Sequence, residues 1–209
     1  MKRLFLLLLT PLLAVGNLCA QTDTTNTSTV AATNGKDFLL NYYQQTYDAL
    51  QKSVEGLSEA QLNFKPAADR WSINQCLEHI VMTEQMIFDY AKKGMEAPAN
   101  AERRKDIKVN DEGVIKGVTD RSFKAKAPEN VVLKGKYPDA NAALADLQIN
   151  RKAVLAYIDS VSVDDLRSHI GDSPMGPVDS YQALLFLAGH TSRHTAQIDE
   201  VKANVNFPK

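Results

Sequence analysis

Two of the four histidines in this 209-residue sequence stand four positions apart, in the segment LAGHTSRHTAQI. Residues four apart on an α-helix share one face and lie about 6 Å apart along the axis, so the imidazoles of His190 and His194 can turn to one point. Leu187, Gln197 and Val201 continue that face at spacings of three and four, which indicates that the pair faces a protein interior. Two uncompensated imidazoles in a core are costly, and one shared divalent metal ion satisfies both.

A third histidine, His79, falls near the edge of the apolar stripe of another predicted helix, between Cys76 and Thr83. Spacing alone leaves His79 open between a metal ligand and a hydrogen-bonded core histidine. Cys76 could supply a fourth ligand, although a small buried apolar residue is the favoured interpretation. Glu78 lies about 100° around the helix from His79, so it is expected to be a surface acid and not a general base.

Four further side chains deserve consideration for a role at such a site. Gln197, one turn beyond His194, could orient a metal-bound water or could cap a buried polar group. Arg151 falls in the inward series of the third predicted helix, where an arginine that snorkels from the stripe edge to solvent is favoured over one that receives an anionic substrate group. His169 is expected at the surface of a loop, and Trp71 is expected to be a packing anchor.

The elements that would position these residues follow from hydrophobic spacing. Four long segments carry apolar residues at spacings of three and four, the pattern of an amphipathic helix. Ser72 and Gln75 form a capping-box pattern at the start of the second segment, and no segment gives a convincing strand. The sequence therefore predicts an all-α four-helix bundle, with helices over about 37–56, 72–93, 138–161 and 179–204.

The connections between the predicted helices differ in length. Residues 57–70 form a connector that could hold one short turn, with Ser58 and Gln61 placed as a capping box. Residues 95–137 are far more than a tight antiparallel turn needs, so a long crossover between helices two and three is predicted. Within it, residues 97–107 could form a short extra helix. A solvated connection is favoured over a basic rim that guides substrate.

The N-terminal residues have the pattern of a secretory signal peptide. Lys2 and Arg3 precede an apolar run at 4–16, and Ala20 ends the segment as a small residue. The apolar run is well short of the ~20 residues that span a bilayer, so a permanent membrane span is not expected. Export to the periplasm or the medium, with cleavage of residues 1–20, is therefore predicted.

The mature chain is then expected to begin with a tether and continue as one domain. Residues 21–36 are rich in Thr, Asn and Ser and predict a flexible linker, which leaves 37–209 as the folded domain. The residues before Cys19 disfavour lipidation, so Cys19 leaves with the signal peptide and Cys76 cannot form an internal disulfide. The formal net charge of −1 gives no indication of a nucleic-acid partner.

Taken together, these residues resemble the DinB-like (YfiT-like) four-helix metal-binding proteins. The resemblance covers roughly 37–204 and also suits the long crossover. It rests on Trp71, Ser72 and Ile73 followed by Glu78 and His79 in helix two, and on Gly176 and Pro177 leading into His190, Arg193, His194 and Gln197 in helix four. The resemblance implies that His79 joins His190 and His194 as a metal-binding triad.

The resemblance also implies a class of function. Some members look like metal-dependent thiol transferases and others like hydrolases, so a metal-dependent hydrolase or transferase acting on a small-molecule substrate is expected, with a homodimer implied by the resemblance alone. The predicted signal peptide disfavours a role that needs an intracellular thiol. Two alternatives stay open: a non-catalytic module that binds metal or a small molecule during stress, and a structural bundle whose histidines bind nothing.

The predicted ligands restrict the type of reaction, but they do not identify the metal ion. Three imidazoles leave one to three coordination positions for water or substrate, as in catalytic sites. Imidazole binds several ions, so the ligands do not select the metal. Zinc is the first candidate, and nickel and iron are the alternatives. The segment from His190 to His194 lacks the glutamate of H-E-x-x-H peptidases, which argues against a zincin.

Overall fold

The computed structural model describes residues 35–122, 132–173 and 175–209. The predicted signal peptide at 1–20 and all but the last two residues of the predicted linker at 21–36 lie outside the described residues. None of the described helices is long and apolar enough to cross a bilayer. In chain order the elements are α1 (Lys36–Val54), α2 (Glu59–Asn63), α3 (Ile73–Met95), a 3-10 helix (Ala101–Asp106), α4 (Asp111–Thr119), α5 (Ala140–Ser160), α6 (Val163–Ser168), β1 (Ile170–Ser173), β2 (Gly176–Asp179) and α7 (Ser180–Lys202).

The four long helices form the predicted bundle. α1 and α3 both pack on α7, and each also contacts α5. Their ends agree with the predicted helices to within about two residues. The connection from α3 to α5 is the predicted long crossover. It contains the 3-10 helix near the expected position and the unpredicted α4, which packs on α7 from outside the bundle.

Capping boxes fix the starts of the two helices that carry the candidate ligands. At α3, the Ser72 hydroxyl accepts a hydrogen bond from the Gln75 backbone N–H, while the Gln75 side chain accepts one from the Ser72 N–H. Asp179 and Gln182 make the same reciprocal pair at α7. Each box satisfies N–H groups that would lack partners in the first turn of the helix. The predicted box of Ser58 and Gln61 likewise begins α2.

A polar layer divides the apolar core of the bundle into two halves. One half is built around Leu50, Ile80, Leu147 and Ile198, and the other around Tyr43, Phe88, Val154 and Leu184. The buried polar side chains between these halves, which we call the polar layer, are Thr46, Thr83, Glu84, Arg151 and Thr191. His79 and His194 are also buried, each about one helical turn from a threonine of this layer, Thr83 and Thr191 respectively.

Arg151 lies in the centre of the polar layer, so the prediction that it snorkels to solvent is wrong. Its side chain is only 4% exposed. The Nε atom donates to Glu84 Oε1 at 2.9 Å, and the two terminal nitrogens donate to Thr46 Oγ1 and Thr191 Oγ1, each at 2.8 Å. Arg151 also donates to the Tyr43 carbonyl. These partners come from α1, α3 and α7, and spacing within α5 could not reveal them.

A short β-hairpin precedes α7, so the expectation of a chain without strands is wrong for residues 170–179. β1 and β2 pair antiparallel, with Ile170 opposite Asp179 and Ser173 opposite Gly176. The Asn100 side chain holds the hairpin to the crossover, because it donates to the Ile170 carbonyl and accepts from the Ile170 N–H. Each strand has only four residues, and neither sequence, IGDS or GPVD, shows the alternation of apolar and polar residues by which a strand is recognised.

Candidate metal centre

The three predicted ligands meet in space. His79 comes from α3, and His190 and His194 come from successive turns of α7; one ligand nitrogen of each lies within 4.8 Å of the others. The Nε2 atoms of His190 and His194 are 3.1 Å apart. The ring of His79 lies 4.5 Å from that of His194 and 5.1 Å from that of His190, measured between centroids. Nitrogens bound about 2.1 Å from one tetrahedral zinc ion lie about 3.4 Å apart, so this triad could hold a metal ion.

Contacts on the outer side of the two α7 histidines favour one tautomer of each. Gln197 Oε1 lies 2.9 Å from His194 Nδ1 and also accepts from Arg121, which can only donate, so the amide oxygen faces His194 and the Nδ1 carries the hydrogen. The Thr83 hydroxyl donates to the His79 carbonyl at 2.6 Å, which leaves its oxygen to accept from His190 Nδ1 at 3.4 Å. Both Nε2 atoms therefore carry lone pairs and point at each other.

His79, the third member of the triad, carries an unsatisfied atom. Its Nδ1 is buried and has no hydrogen-bond partner among the described residues. A buried polar atom left unpaired costs about 1–3 kcal/mol. A cation shared by the triad would relieve both this cost and the repulsion between the facing Nε2 atoms, so the donor set fits a metal ion.

The surroundings keep the three imidazoles in the form that binds metal. Burial lowers the pKa of His79 to about 4. Burial, with the nearby His79 and Arg193, lowers the pKa of His190 to about 3. The pKa of His194 is also lowered, by burial first and then by the two neighbouring imidazoles. All three are therefore neutral near pH 7, as metal ligation requires.

Comparison with known proteins places this chain in a family. A sequence model of the DinB superfamily matches residues 42–198, more than half of the chain. The chain belongs to the DinB superfamily.

Two Bacillus subtilis proteins illustrate the relationship. The uncharacterised protein YuaE (strain 168) is 28% identical over 155 residues, which cover 73% of this chain and 90% of YuaE. The solved structure of YfiT, described as a probable metal-dependent hydrolase with an unusual four-helix bundle topology, matches with a TM-score of 0.58 and 16% identity, over 83% of this chain and 89% of YfiT. At that identity the likeness to YfiT shows the fold alone.

In this DinB superfamily member Trp71 contacts the histidine triad as well as serving as a packing anchor. Its ring lies 4.9 Å from the ring of His79 and is stacked on that of His194 at 6.0 Å, measured between centroids. The indole therefore covers one side of the triad. The residue also packs against the apolar core half around Leu50, as predicted.

The other candidates do not join the triad. Cys76 is fully buried, as the favoured interpretation has it, and burial raises the pKa of its thiol to about 12, which disfavours the thiolate that binds metal. Glu78 accepts hydrogen bonds from the backbone of Lys134 and Gly135 and so anchors the end of the crossover. His169 is half-buried at the end of α6, where its ring nitrogens contact backbone carbonyls.

Two positioning residues were not identified from the sequence. Thr83 falls in the inward series of the second helix, and a hydroxyl one turn after His79 is a signal that the sequence contains. Arg121 lies in the crossover, where nothing in the spacing connects it to helix four. In the structure it donates to Gln197 and pairs with Glu200 at 2.8 Å.

Proposed function

We propose that this DinB superfamily protein is an exported metal-dependent hydrolase. It holds one divalent ion through His79, His190 and His194, and zinc is the first candidate for that ion. The observation that carries the proposal is the approach of His190 Nε2 and His194 Nε2 to 3.1 Å, with the Nδ1 atoms of both rings in contact with Thr83 and Gln197. The orphaned Nδ1 of His79 supports it.

The ligand set is suited to chemistry as well as to structure. When bound, the ion would supply Lewis acidity for a substrate carbonyl and for water. Three ligands from two rigid helices do not fill a coordination sphere, and Trp71 shields one side of the triad. The description of YfiT as a probable metal-dependent hydrolase supports hydrolysis as the reaction class.

Gln197 remains the proposed positioning residue. Its Oε1 is engaged by His194 and Arg121, so it holds a ligand in orientation through that atom. Any contact with a catalytic water would be made by its amide nitrogen. The predicted role in orienting water and the observed contact with His194 are therefore compatible.

Metal analysis and turnover test the proposal together. Protein purified without an affinity tag is expected to contain about one divalent ion per chain, and elemental analysis distinguishes zinc from nickel and iron. His79→Ala and His194→Ala are each expected to lose the ion and any turnover found in a screen of small esters and amides. His169→Ala is the matched control, because this histidine lies outside the triad and should leave both unchanged.

Two results would contradict the proposal in different ways. Equal turnover by the metal-loaded wild type and the variant lacking all three histidines would place the activity elsewhere. Stoichiometric metal without turnover on any ester or amide would favour the non-catalytic binding module.

A further inference from the structure

An apolar groove lies beside the triad, between α3, α7 and the hairpin. Its volume is about 420 Å³, within the range of about 300–1,000 Å³ typical of small-molecule sites. Six of the side chains that line the groove are apolar: Met86, Ile87, Met175, Val178, Ala183 and Phe186.

The groove adjoins the proposed metal site through Phe186. Phe186 belongs to both, since it lines the groove and its ring is stacked on that of His190, with centroids 6.1 Å apart and planes 28° apart. On α3, Met86 follows His79 by about two helical turns, or about 10 Å along the axis. Met82 lies between them and is 40% exposed, which extends the apolar strip toward the triad.

The polar side chains of the groove are already engaged. The hydroxyls of Tyr90 and Ser173 and the amide nitrogen of Gln182 each donate a hydrogen bond to a backbone carbonyl. The carboxylate of Asp172 pairs with Arg103 at 2.7 Å. The groove therefore offers apolar contact, and a ligand with buried polar groups would find few partners along it.

The exposed apolar side chains of the groove are clustered, whereas most exposed apolar residues stand singly on a protein surface. Met86 is 58% exposed, Tyr90 53% and Met175 38%, and all three line this one groove. Contiguous apolar surface of this kind marks binding sites, and methionine side chains adapt readily to ligands of varied shape.

We propose that the groove binds the apolar part of the substrate, an uncharged aliphatic or aromatic group that extends about 10 Å from the metal ion. The inference rests on the proposed function and specifies its substrate class: esters or amides with an apolar acyl chain. Hydrolysis of such an ester breaks the C–O bond, with the hydroxyl of water going to the acyl carbon and its proton to the departing alcohol. Each methylene buried in the groove should raise kcat/KM by up to about fourfold.

A chain-length series tests the specificity. The wild type, loaded with zinc, is assayed on p-nitrophenyl acetate, butyrate and octanoate, and kcat/KM is expected to be at least tenfold higher for octanoate than for acetate. Met86→Glu places a charge in the groove and Ala183→Phe fills it, so each should lower the octanoate-to-acetate ratio at least tenfold. Ile149→Glu is the matched control, because Ile149 is an apolar residue of α5, 69% exposed and outside the groove.

A binding measurement tests the ligand-binding role of the groove independently of ester hydrolysis. The neutral dye N-phenyl-1-naphthylamine should bind the wild type and be displaced by 1-octanol, with affinity at least tenfold weaker in Met86→Glu and Ala183→Phe but unchanged in Ile149→Glu. The variant lacking all three histidines should still bind the dye. If no ester is hydrolysed but this pattern holds, the hydrolase proposal fails and the groove stands as an apolar binding site.

Two outcomes overturn the groove proposal. The first is equal dye affinity in the wild type and both groove variants. The second is a wild type that fails to bind the dye and sediments as a dimer that Met86→Glu dissociates, which would make the groove an interface between two copies of the chain.

Discussion

The histidines on α7 are held by neighbours that decide which ring nitrogen carries the hydrogen. Gln197 and Thr83 each accept from an Nδ1 atom, and the Nε2 lone pairs of His190 and His194 are thereby directed to the same point. Partners of this kind keep a ligand in one tautomer and one orientation. Spacing in the sequence identified His190 and His194 as candidate ligands, but these contacts depend on side-chain directions that spacing does not specify.

Removal of the Gln197 acceptor should weaken metal binding without abolishing it. In Gln197→Ala the His194 ring loses its orienting partner, so affinity for zinc is expected to fall about 10- to 100-fold. Competition with a chromophoric chelator measures the change. Gln85→Ala is the matched control, because this glutamine is an exposed residue of α3 that contacts only Asp89 among the hydrogen bonds described. Unchanged affinity in Gln197→Ala would mean that packing alone orients His194.

The lowered histidine pKa values predict acid sensitivity of the metal-free protein. In the unfolded chain these groups bind protons below about pH 6.5, whereas in the native state the pKa is about 4 for His79 and about 3 for His190. As the pH falls from 6.5 toward 4, the unfolded state therefore binds more protons and the free energy of unfolding drops, by up to about 1.4 kcal/mol per pH unit for each histidine.

Urea unfolding in the presence of chelator, at pH 7, 6 and 5, measures this dependence. His79→Gln removes one titrating group and should show a shallower decrease in the free energy of unfolding. Identical slopes for the wild type and this variant would show that burial of His79 does not produce the effect.

At the scale of elements, the close approach of α4 to α7 depends on one glycine. A Cβ atom at Gly189, directly before His190, would collide with the side chain of Val118 on α4. The absence of a side chain therefore lets α4 lie against the helix that carries two ligands. The same region ties α4 to α7 through Arg193, which donates to the carbonyls of Val118 and Asp120.

Gly189→Ala is expected to destabilise the fold by about 1–3 kcal/mol, because overpacking forces α4 to shift. Chemical denaturation measures the loss. Gly117→Ala, in α4 itself, has open space at the new methyl group and should be neutral or stabilising by up to about 1 kcal/mol. The double variant Gly189→Ala/Val118→Ala should recover part of the lost stability, and its failure to do so would locate the strain elsewhere.

Some elements are determined by residues within one segment of the sequence, and others depend on residues far away in the chain. The long helices were predictable because apolar spacing and capping pairs such as Ser72 with Gln75 are written within one segment. The hairpin was missed because its strands are short and depend on Asn100, far away in the chain. Arg151 was misplaced for the same reason, since its partners come from other helices.

At the scale of the whole molecule, export remains a prediction, and it rests on Lys2, Arg3, the apolar run at 4–16 and Ala20. N-terminal sequencing of protein recovered from the periplasm or medium of its native host should begin at Gln21, which can cyclise. An intact Met1 on a cytoplasmic product would show that the segment is not a signal peptide.

The ion pair of Arg151 and Glu84 has a consequence for how the metal is captured. Because Thr46 and Thr191 also bind Arg151, the pair joins four helices at one height. A slip of one helix by a turn would carry a charge about 5.4 Å away from its partner, and an unpaired buried charge costs about 3–5 kcal/mol. The fold itself thus sets the separation of His79 from the candidate ligands on α7. We therefore expect a preorganised cage, in which the empty and loaded proteins share one backbone and the ion enters without helix rearrangement.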